Sequence, residues 1–202
     1  MTHAQPTIPL FPLSGHVLPG GTMRLRIFEP RYVRMVKEAC NGTSCSPIGL
    51  CMLNEDGDVA SNNHIHPIGT KVTIVDFEQL PDGLLGITVA GNELFRIVDI
   101  QVQDDGLRVG EIEPIGAWSA LPLSANDKHI ADQLNAVYQA YPELAIEADP
   151  ELWQRADWVA LRWLELLPIA ATAKQELLQA PTADAALEFL RDLMDASQEY
   201  DS

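Results

Sequence analysis

The chain opens with IPLFPL at residues 8–13, VLPGG at residues 17–21 and IFEPRY at residues 27–32. The first stretch is an apolar run that predicts a short strand. The second lacks the helix and the lysine of a phosphate-binding loop, so it predicts a turn into a strand that starts near Met23. In the third, Pro30 suits the first position of a helix. The helix that follows shows apolar residues at helical spacing, namely Tyr32, Val33, Val36 and Ala39.

Short apolar runs continue up to about residue 116, separated by turn residues, which is typical of β-strands. After residues 8–11, the candidate strands are residues 23–28, 48–53, 69–80, 84–90, 94–102 and 107–115. Pro81-Asp82-Gly83 and Asp104-Asp105-Gly106 each predict a hairpin turn, because glycine accepts a positive φ. Successive antiparallel strands of this kind close into a barrel or a curled sheet.

The pattern changes to helical after Trp118. The predicted helices run from Asp127 to Tyr138, from Asp149-Pro150 to about Leu167, over a short stretch from Thr172, and onward from Thr182. Four helices joined by short links predict a small bundle. The fold class is therefore α+β: a β-rich barrel-like subdomain over residues 1–117, followed by an α-helical bundle subdomain over residues 118–202.

The charge balance argues against whole classes of partner. The chain of 202 residues has 13 Lys and Arg against 29 Asp and Glu, a net charge of -16. It contains no run of three basic residues, whereas affinity for nucleic acids and anionic membranes depends on clustered Lys and Arg. We therefore expect neither nucleic acid nor membrane as a partner.

The expected location is the cytoplasm. The first residues lack a basic segment followed by an apolar one, so we expect no secretory leader. The three cysteines, Cys40, Cys45 and Cys51, form neither a closed disulfide framework nor the close pairs of a zinc site. A reducing compartment is the simplest setting for such a set.

A search for catalytic motifs finds none. The sequence has no phosphate-binding loop of the G-x-x-x-x-G-K-[ST] type and no G-x-S-x-G nucleophile elbow. His64 and His66 could supply half of a zinc or copper site, but a site needs three or four ligands. A polar loop that runs into a strand is the better interpretation, so we predict no metal, no cofactor and no catalytic residues.

The opening stretches closely resemble the start of the amino-terminal domain of Lon proteases, in which IPLFPL, LPG and FEPRY segments follow at similar spacing. The resemblance continues through Ile48-Gly49-Leu50, Ile68-Gly69-Thr70, Leu94-Phe95-Arg96-Ile97 and Lys174-Gln175-Glu176-Leu177-Leu178. It implies a β-rich pseudo-barrel of the kind grouped with PUA domains, then a helical bundle, and a role in recognising polypeptide. A Lon protease also needs an ATPase and a Ser-Lys peptidase, which this sequence lacks, so we expect a module that acts without them.

The main functional hypothesis is a non-catalytic module that binds unfolded or exposed polypeptide, with a separate protease as a further partner. For client contact we select Arg31 and Tyr32 at the predicted helix start, although both could instead be structural, and also Trp158. A partly exposed tryptophan can anchor a partner, or it can seal the junction between the two subdomains. The alternatives are a PUA-like small-molecule or RNA-binding protein, or a metal-assisted hydrolase built on His64 and His66. The oligomeric state is not predicted.

Overall fold

The computed structural model describes residues 6–144 and 149–200, with side chains up to residue 196. Residues 1–5 lie outside the described residues. The expectation of no secretory leader was drawn mainly from these residues. The chain divides into two compact units between Gly116 and Ala117. Within the described residues, no helix has the length and apolarity needed to cross a membrane.

The described residues of the first unit form six strands and one helix. Its elements, in chain order, are β1 (Thr7–Leu13), β2 (Thr22–Ile27), α1 (Pro30–Ala39), β3 (Ile48–Leu53), β4 (Ile65–Gln79), β5 (Leu85–Val102) and β6 (Arg108–Pro114). Pro30 stands at the amino-terminal end of α1, as the sequence predicts. The predicted α+β class is therefore observed.

The sheet is mixed, with strand order β2-β5-β4-β3-β1-β6 and an additional pairing of β5 with β6. Because β6 pairs with both β1 and β5, five strands follow one another in a ring and the sheet is barrel-like. β2 stands outside this ring and pairs only with β5 among the described strands. One pairing, β1 with β3, is parallel, where the sequence analysis expected antiparallel neighbours throughout.

Both predicted hairpins are confirmed, but one predicted break is wrong. Gly83 and Gly106 each adopt a φ of 82°, the left-handed conformation for which glycine was expected. The runs at residues 84–90 and 94–102, however, form a single strand, β5. Its first part pairs with β4 and its second part with β6, and irregularities in register let it bend between the two.

Two apolar clusters form the core of this unit. The larger lies under α1, whose buried face packs on strand residues; its members include Tyr32, Met35, Val36, Ile48, Val72, Ile87 and Val89. In the smaller cluster Phe95 is fully buried. A Cβ on Gly49 would lie 2.8 Å, and one on Gly69 2.6 Å, from Cζ of Phe95. The absence of a Cβ atom at both glycines therefore leaves the space that the Phe95 ring fills.

The cysteine prediction needs a correction. Cys40 and Cys45 form a disulfide that closes the loop after α1, and Cys51 is free and buried. The bond was not predicted because the pairing depends on how closely the chain brings the two Cα atoms together, here 4.1 Å. The cysteine content therefore does not indicate a reducing compartment.

The second unit is helical: α2 (Lys128–Ala140), α3 (Ala156–Leu166), α4 (Ala171–Leu178) and α5 (Asp184–Tyr200). Every residue of α3 from Ala156 to Leu164 is buried, so this helix is the centre of the unit. The predicted start of this helix at Asp149-Pro150 is wrong. Residues 152–154 form a separate 3₁₀ turn, and Arg155 is extended and makes an antiparallel bridge with Pro122.

Candidate functional site: a groove in the helical unit

A groove of about 710 Å³ lies in the helical unit. Three separate segments line it: residues 122–125, one face of α2, and residues 150–154. A volume of this size is within the range of ligand-binding clefts. All of its lining residues belong to the second unit.

The floor of the groove is the face of α2 that carries Lys128, Ala131, Asp132 and Asn135. These positions follow the i, i+3, i+4, i+7 spacing, so they share one side of the helix. The start of α2 is held firmly. The hydroxyl of Ser124 donates to Oδ2 of Asp127 at 2.7 Å, and Nε of Arg191 on α5 donates to Oδ1 of the same carboxylate at 2.7 Å.

The first wall is the segment at residues 122–125, which ends at the first residue of a 3₁₀ turn. The backbone N–H of Leu123 donates to the carbonyl of Gln154 at 2.6 Å, and the N–H of Ala156 donates to the carbonyl of Leu121 at 2.9 Å. These bonds tie the first wall to the second wall, which is the segment at residues 150–154. They also explain why α3 begins only at Ala156, because Arg155 is used in the bridge.

Trp153 is the aromatic side chain of the second wall, and it is only partly buried. Its ring meets Tyr138 edge-on at a centroid distance of 5.8 Å and Trp158 at 5.0 Å. Both partners are buried. Trp153 is therefore held rigidly from behind while part of its surface remains accessible in the groove, which suits a binding anchor.

Charged side chains lie buried behind this aromatic cluster. Arg162 is fully buried, with its guanidinium 5.7 Å from the ring centroid of Trp158 and its Nε 3.1 Å from Glu165. Burial raises the pKa of Tyr138 to about 12, and Arg162 opposes that rise. Burial also lowers the pKa of Lys174 to about 8. Arg162, Tyr138 and Lys174 do not line the groove.

The lining itself is suited to binding rather than to a reaction. It combines apolar and aromatic surface with amide and hydroxyl groups from Ser124, Asn135 and Gln154 and one charge of each sign, Lys128 and Asp132. Such a surface can hold a polypeptide segment through apolar contacts and hydrogen bonds. Among the described residues, no group of three or more His, Cys, Asp or Glu is placed to hold a metal ion.

Two of the predicted contact residues, Arg31 and Tyr32, hold the start of α1 in place. Tyr32 is 7% exposed and stacks on Phe11 at a centroid distance of 4.1 Å. Burial raises the pKa of its hydroxyl. Arg31 lies 4.8 Å over the same ring, donates to the carbonyl of Gly106 at 3.1 Å and pairs with Glu29 at 2.6 Å. Their contact with a client stays a prediction.

The third predicted contact residue, Trp158, lies on α3 and is 4% exposed. Its indole N–H has no hydrogen-bond partner among the described residues. The groove brings Trp153 into the lining but not Trp158, so the client role of Trp158 also stays a prediction. Trp158 was selected from the sequence rather than Trp153, with both residues placed in one predicted helix. The five-residue spacing from Trp153 to Trp158 and on to Trp163, which no single helical stripe accommodates, predicts that at least one of the three lies near the surface, and the partly exposed one is Trp153.

His66 lies at the start of β4 and is buried, and His64 lies in the turn just before that strand. Burial is the main cause that lowers the pKa of each imidazole, and the nearby Arg108 lowers that of His64 further. Both rings are therefore neutral at neutral pH. Cys51 lies on β3, where burial raises the pKa of the thiol far above its usual value, so it is not poised as a nucleophile.

Comparisons with known proteins identify the family. The family model of the ATP-dependent protease La (LON) substrate-binding domain matches residues 7–196, so the chain belongs to this family. The Lon protease of Flavobacterium johnsoniae is 24% identical over 142 residues, which make up 70% of this chain and 16% of that protein. The chain thus spans a small part of the relative's length.

Solved structures agree with this assignment. The crystal structure of a Lon N-terminal domain protein from Xanthomonas campestris has 30% sequence identity and a TM-score of 0.72, and the match covers 93% of this chain and 98% of that one. The N-terminal domain of the Mycobacterium avium complex Lon protease has a TM-score of 0.62 over 93% of this chain and 97% of that one. At 14% identity, this second likeness is one of fold alone. The predicted family is confirmed.

Proposed function

We propose that this chain is a non-catalytic module that binds exposed segments of unfolded polypeptide, and that the groove of the helical unit is its contact site. The observation that carries the proposal is the rigidly backed, partly exposed Trp153 in a groove of about 710 Å³. The membership in a substrate-binding domain family supports the same function.

The groove explains how sequence-tolerant binding would work. Trp153 and Leu123 offer apolar surface to a large side chain, and Asn135 and Gln154 offer amide groups to a peptide backbone. Buried aromatic anchors supply most of the energy of such interfaces, while surrounding polar groups fix orientation. The net charge of -16 keeps a protein with an apolar groove soluble.

The proposal also includes a partner protease and a cellular location. We propose that bound polypeptide is passed to a separate protease, since the family is named for the substrate-binding part of one. The cytoplasm remains our proposed location. The Cys40–Cys45 disulfide would be reversible there, because cytosolic disulfides are usually transient.

The test is to fill the groove without disturbing the core. Asn135 is an exposed residue of α2 that lines the groove, and Gln133 is an exposed residue of the same helix that does not. We expect Asn135→Phe to weaken binding of a fluorescein-labelled, reduced and carbamidomethylated polypeptide by about tenfold, the effect of blocking an interface anchor. Gln133→Phe should bind as the unmodified chain does.

The outcomes separate clearly in an anisotropy titration. Equal affinity of Asn135→Phe and Gln133→Phe would show that the groove is not the contact site. A titration with labelled single-stranded RNA at two salt concentrations runs in parallel. Saturable RNA binding that weakens steeply with salt, without polypeptide binding, would overturn the proposed function.

A further inference from the structure

Among the described strands, β2 lies at the edge of the sheet. β2 pairs on one side with β5 over all six of its residues, from Thr22 opposite Ala90 to Ile27 opposite Leu85. No described strand pairs with its other side. In an antiparallel pair, alternate residues point their N–H and C=O groups away from the partner, so three residues of β2 present such groups outward. A free strand edge of this kind is a template for another extended chain.

The side chains of β2 alternate in character. Thr22, Arg24 and Arg26 are exposed on one face, while Met23 and Leu25 on the other face are half-buried against the larger core cluster. The edge therefore offers two basic side chains on one face of β2 and apolar surface on the other face. This local basic character stands out in a chain with a net charge of -16.

The two arginines differ in how far nearby acids neutralise them. Residues paired across antiparallel strands share a face, so Arg24 lies beside Thr88 and Arg26 beside Gly86. Of the acids on this face of β4, Asp76 stands one strand further away, whereas the side chain of Glu78 lies over Gly86 and so reaches toward Arg26. Arg26 pairs with Asp82 at the hairpin tip, whereas Arg24 makes no ion pair with any described residue.

We propose that the free edge of β2 accepts an extended polypeptide segment as an added strand, and that this segment alternates acidic with apolar residues. The proposal rests on the proposed polypeptide-binding function and names a client pattern for it. An acidic side chain of the added strand would lie opposite Arg24, where opposite charges directly across strands are favourable. Its apolar side chains would cover Met23 and Leu25.

Charge also argues against a second copy of this chain as the occupant. If two β2 edges paired, residues of the same face would meet, and arginines would lie opposite arginines. Charged edges are a known means of preventing self-association. The same arginines that disfavour a second copy favour an acidic segment.

The test uses a charge exchange. Two labelled peptides of equal length alternate valine with glutamate or valine with lysine, and both are titrated against the unmodified chain and Arg24→Glu. We expect the unmodified chain to prefer the glutamate peptide by about tenfold, and Arg24→Glu to lose or reverse this preference. Lys37→Glu is the matched control, because Lys37 is an exposed base on α1 of the same unit. It should keep the preference.

A second measurement tests the backbone contact. N-methylation of alternate residues removes donors from one edge of the peptide, so one of the two possible methylation registers should abolish binding and the other should not. Equal binding of both registers would show that charge alone attracts the peptide and would overturn the added-strand model.

The two proposals fail in different ways. If the unfolded, labelled polypeptide binds but neither designed peptide does, or if Arg24→Glu and Lys37→Glu behave alike, the edge proposal is wrong and the groove proposal stands. If neither the polypeptide nor the peptides bind, the polypeptide-binding function itself is wrong. Dimerisation through β2 in sedimentation would replace the client with a second copy and also overturn the proposal.

Discussion

Replacing either glycine beside Phe95 with alanine should destabilise the first unit, and by different amounts. A Cβ on Gly69 would lie 2.6 Å from Cζ of Phe95 and 2.7 Å from the backbone carbonyl oxygen of Leu50. A Cβ on Gly49 would lie 2.8 Å from Cζ of Phe95 and 3.1 Å from Cδ2 of Leu10. Side chains can yield by rotation, but the carbonyl belongs to the sheet. We therefore expect Gly69→Ala to cost about 3 kcal/mol and Gly49→Ala about 1 to 2 kcal/mol, at opposite ends of the usual range for overpacking.

The same geometry predicts which substitution can be rescued. Phe95→Leu removes the atoms that crowd Gly49, so the double variant Gly49→Ala/Phe95→Leu should recover at least about 1 kcal/mol relative to additivity. Gly69→Ala/Phe95→Leu should recover less, because the oxygen of Leu50 remains in place.

Urea unfolding should be followed by circular dichroism and by amide hydrogen exchange in β3 and β4. All four tryptophans lie in residues 117–202, so their fluorescence reports on the other unit. Equal costs for the two single variants, or equal rescue by Phe95→Leu, would refute the packing described around the ring.

Three further predictions concern the cysteines and a histidine. Cys40→Ser/Cys45→Ser should lower the free energy of unfolding by about 2 kcal/mol, the chain-entropy value for a loop of this length; an unchanged urea midpoint under oxidising conditions would show that the bond does not form. Cys51 should resist iodoacetamide until the chain unfolds, because burial raises its pKa; labelling of the native protein at the rate of a free thiol, followed by mass spectrometry, would contradict this. Burial lowers the pKa of His66 in the folded state, so the unfolded chain binds the proton more readily and stability should fall as pH drops below about 6.5, by at most about 1.4 kcal/mol per pH unit. His66→Gln should reduce this dependence in urea titrations between pH 7.5 and 5.5, and an unchanged slope would refute it.

The features that the sequence predicted well are those set by local chemistry. The two hairpins follow from Gly83 and Gly106, whose positive φ needs no tertiary information. The start of α1 follows from Pro30, and α2 follows from the periodicity of its apolar face. Each of these elements is specified within a few neighbouring residues.

The features that it missed depend on contacts between distant segments. In the sequence, Gly91-Asn92 resembles the end of a strand. β5 nevertheless continues through these residues, because β4 pairs with its first part and β6 with its second part. Arg155 sits in a helical pattern, yet it is extended because it bridges to Pro122. The candidate groove is assembled from three segments, so its lining could not be listed before the fold was known. Trp153 is the clearest case, since its neighbours in space are Tyr138 and Trp158.

The most direct test of the central claim is a titration of the labelled, unfolded polypeptide against the unmodified chain, Asn135→Phe and Gln133→Phe. The account predicts saturable binding by the unmodified chain and Gln133→Phe, and binding about tenfold weaker by Asn135→Phe. Saturable binding that is identical in all three proteins would contradict the assignment of the groove. Absence of binding to the unmodified chain would contradict the polypeptide-binding function.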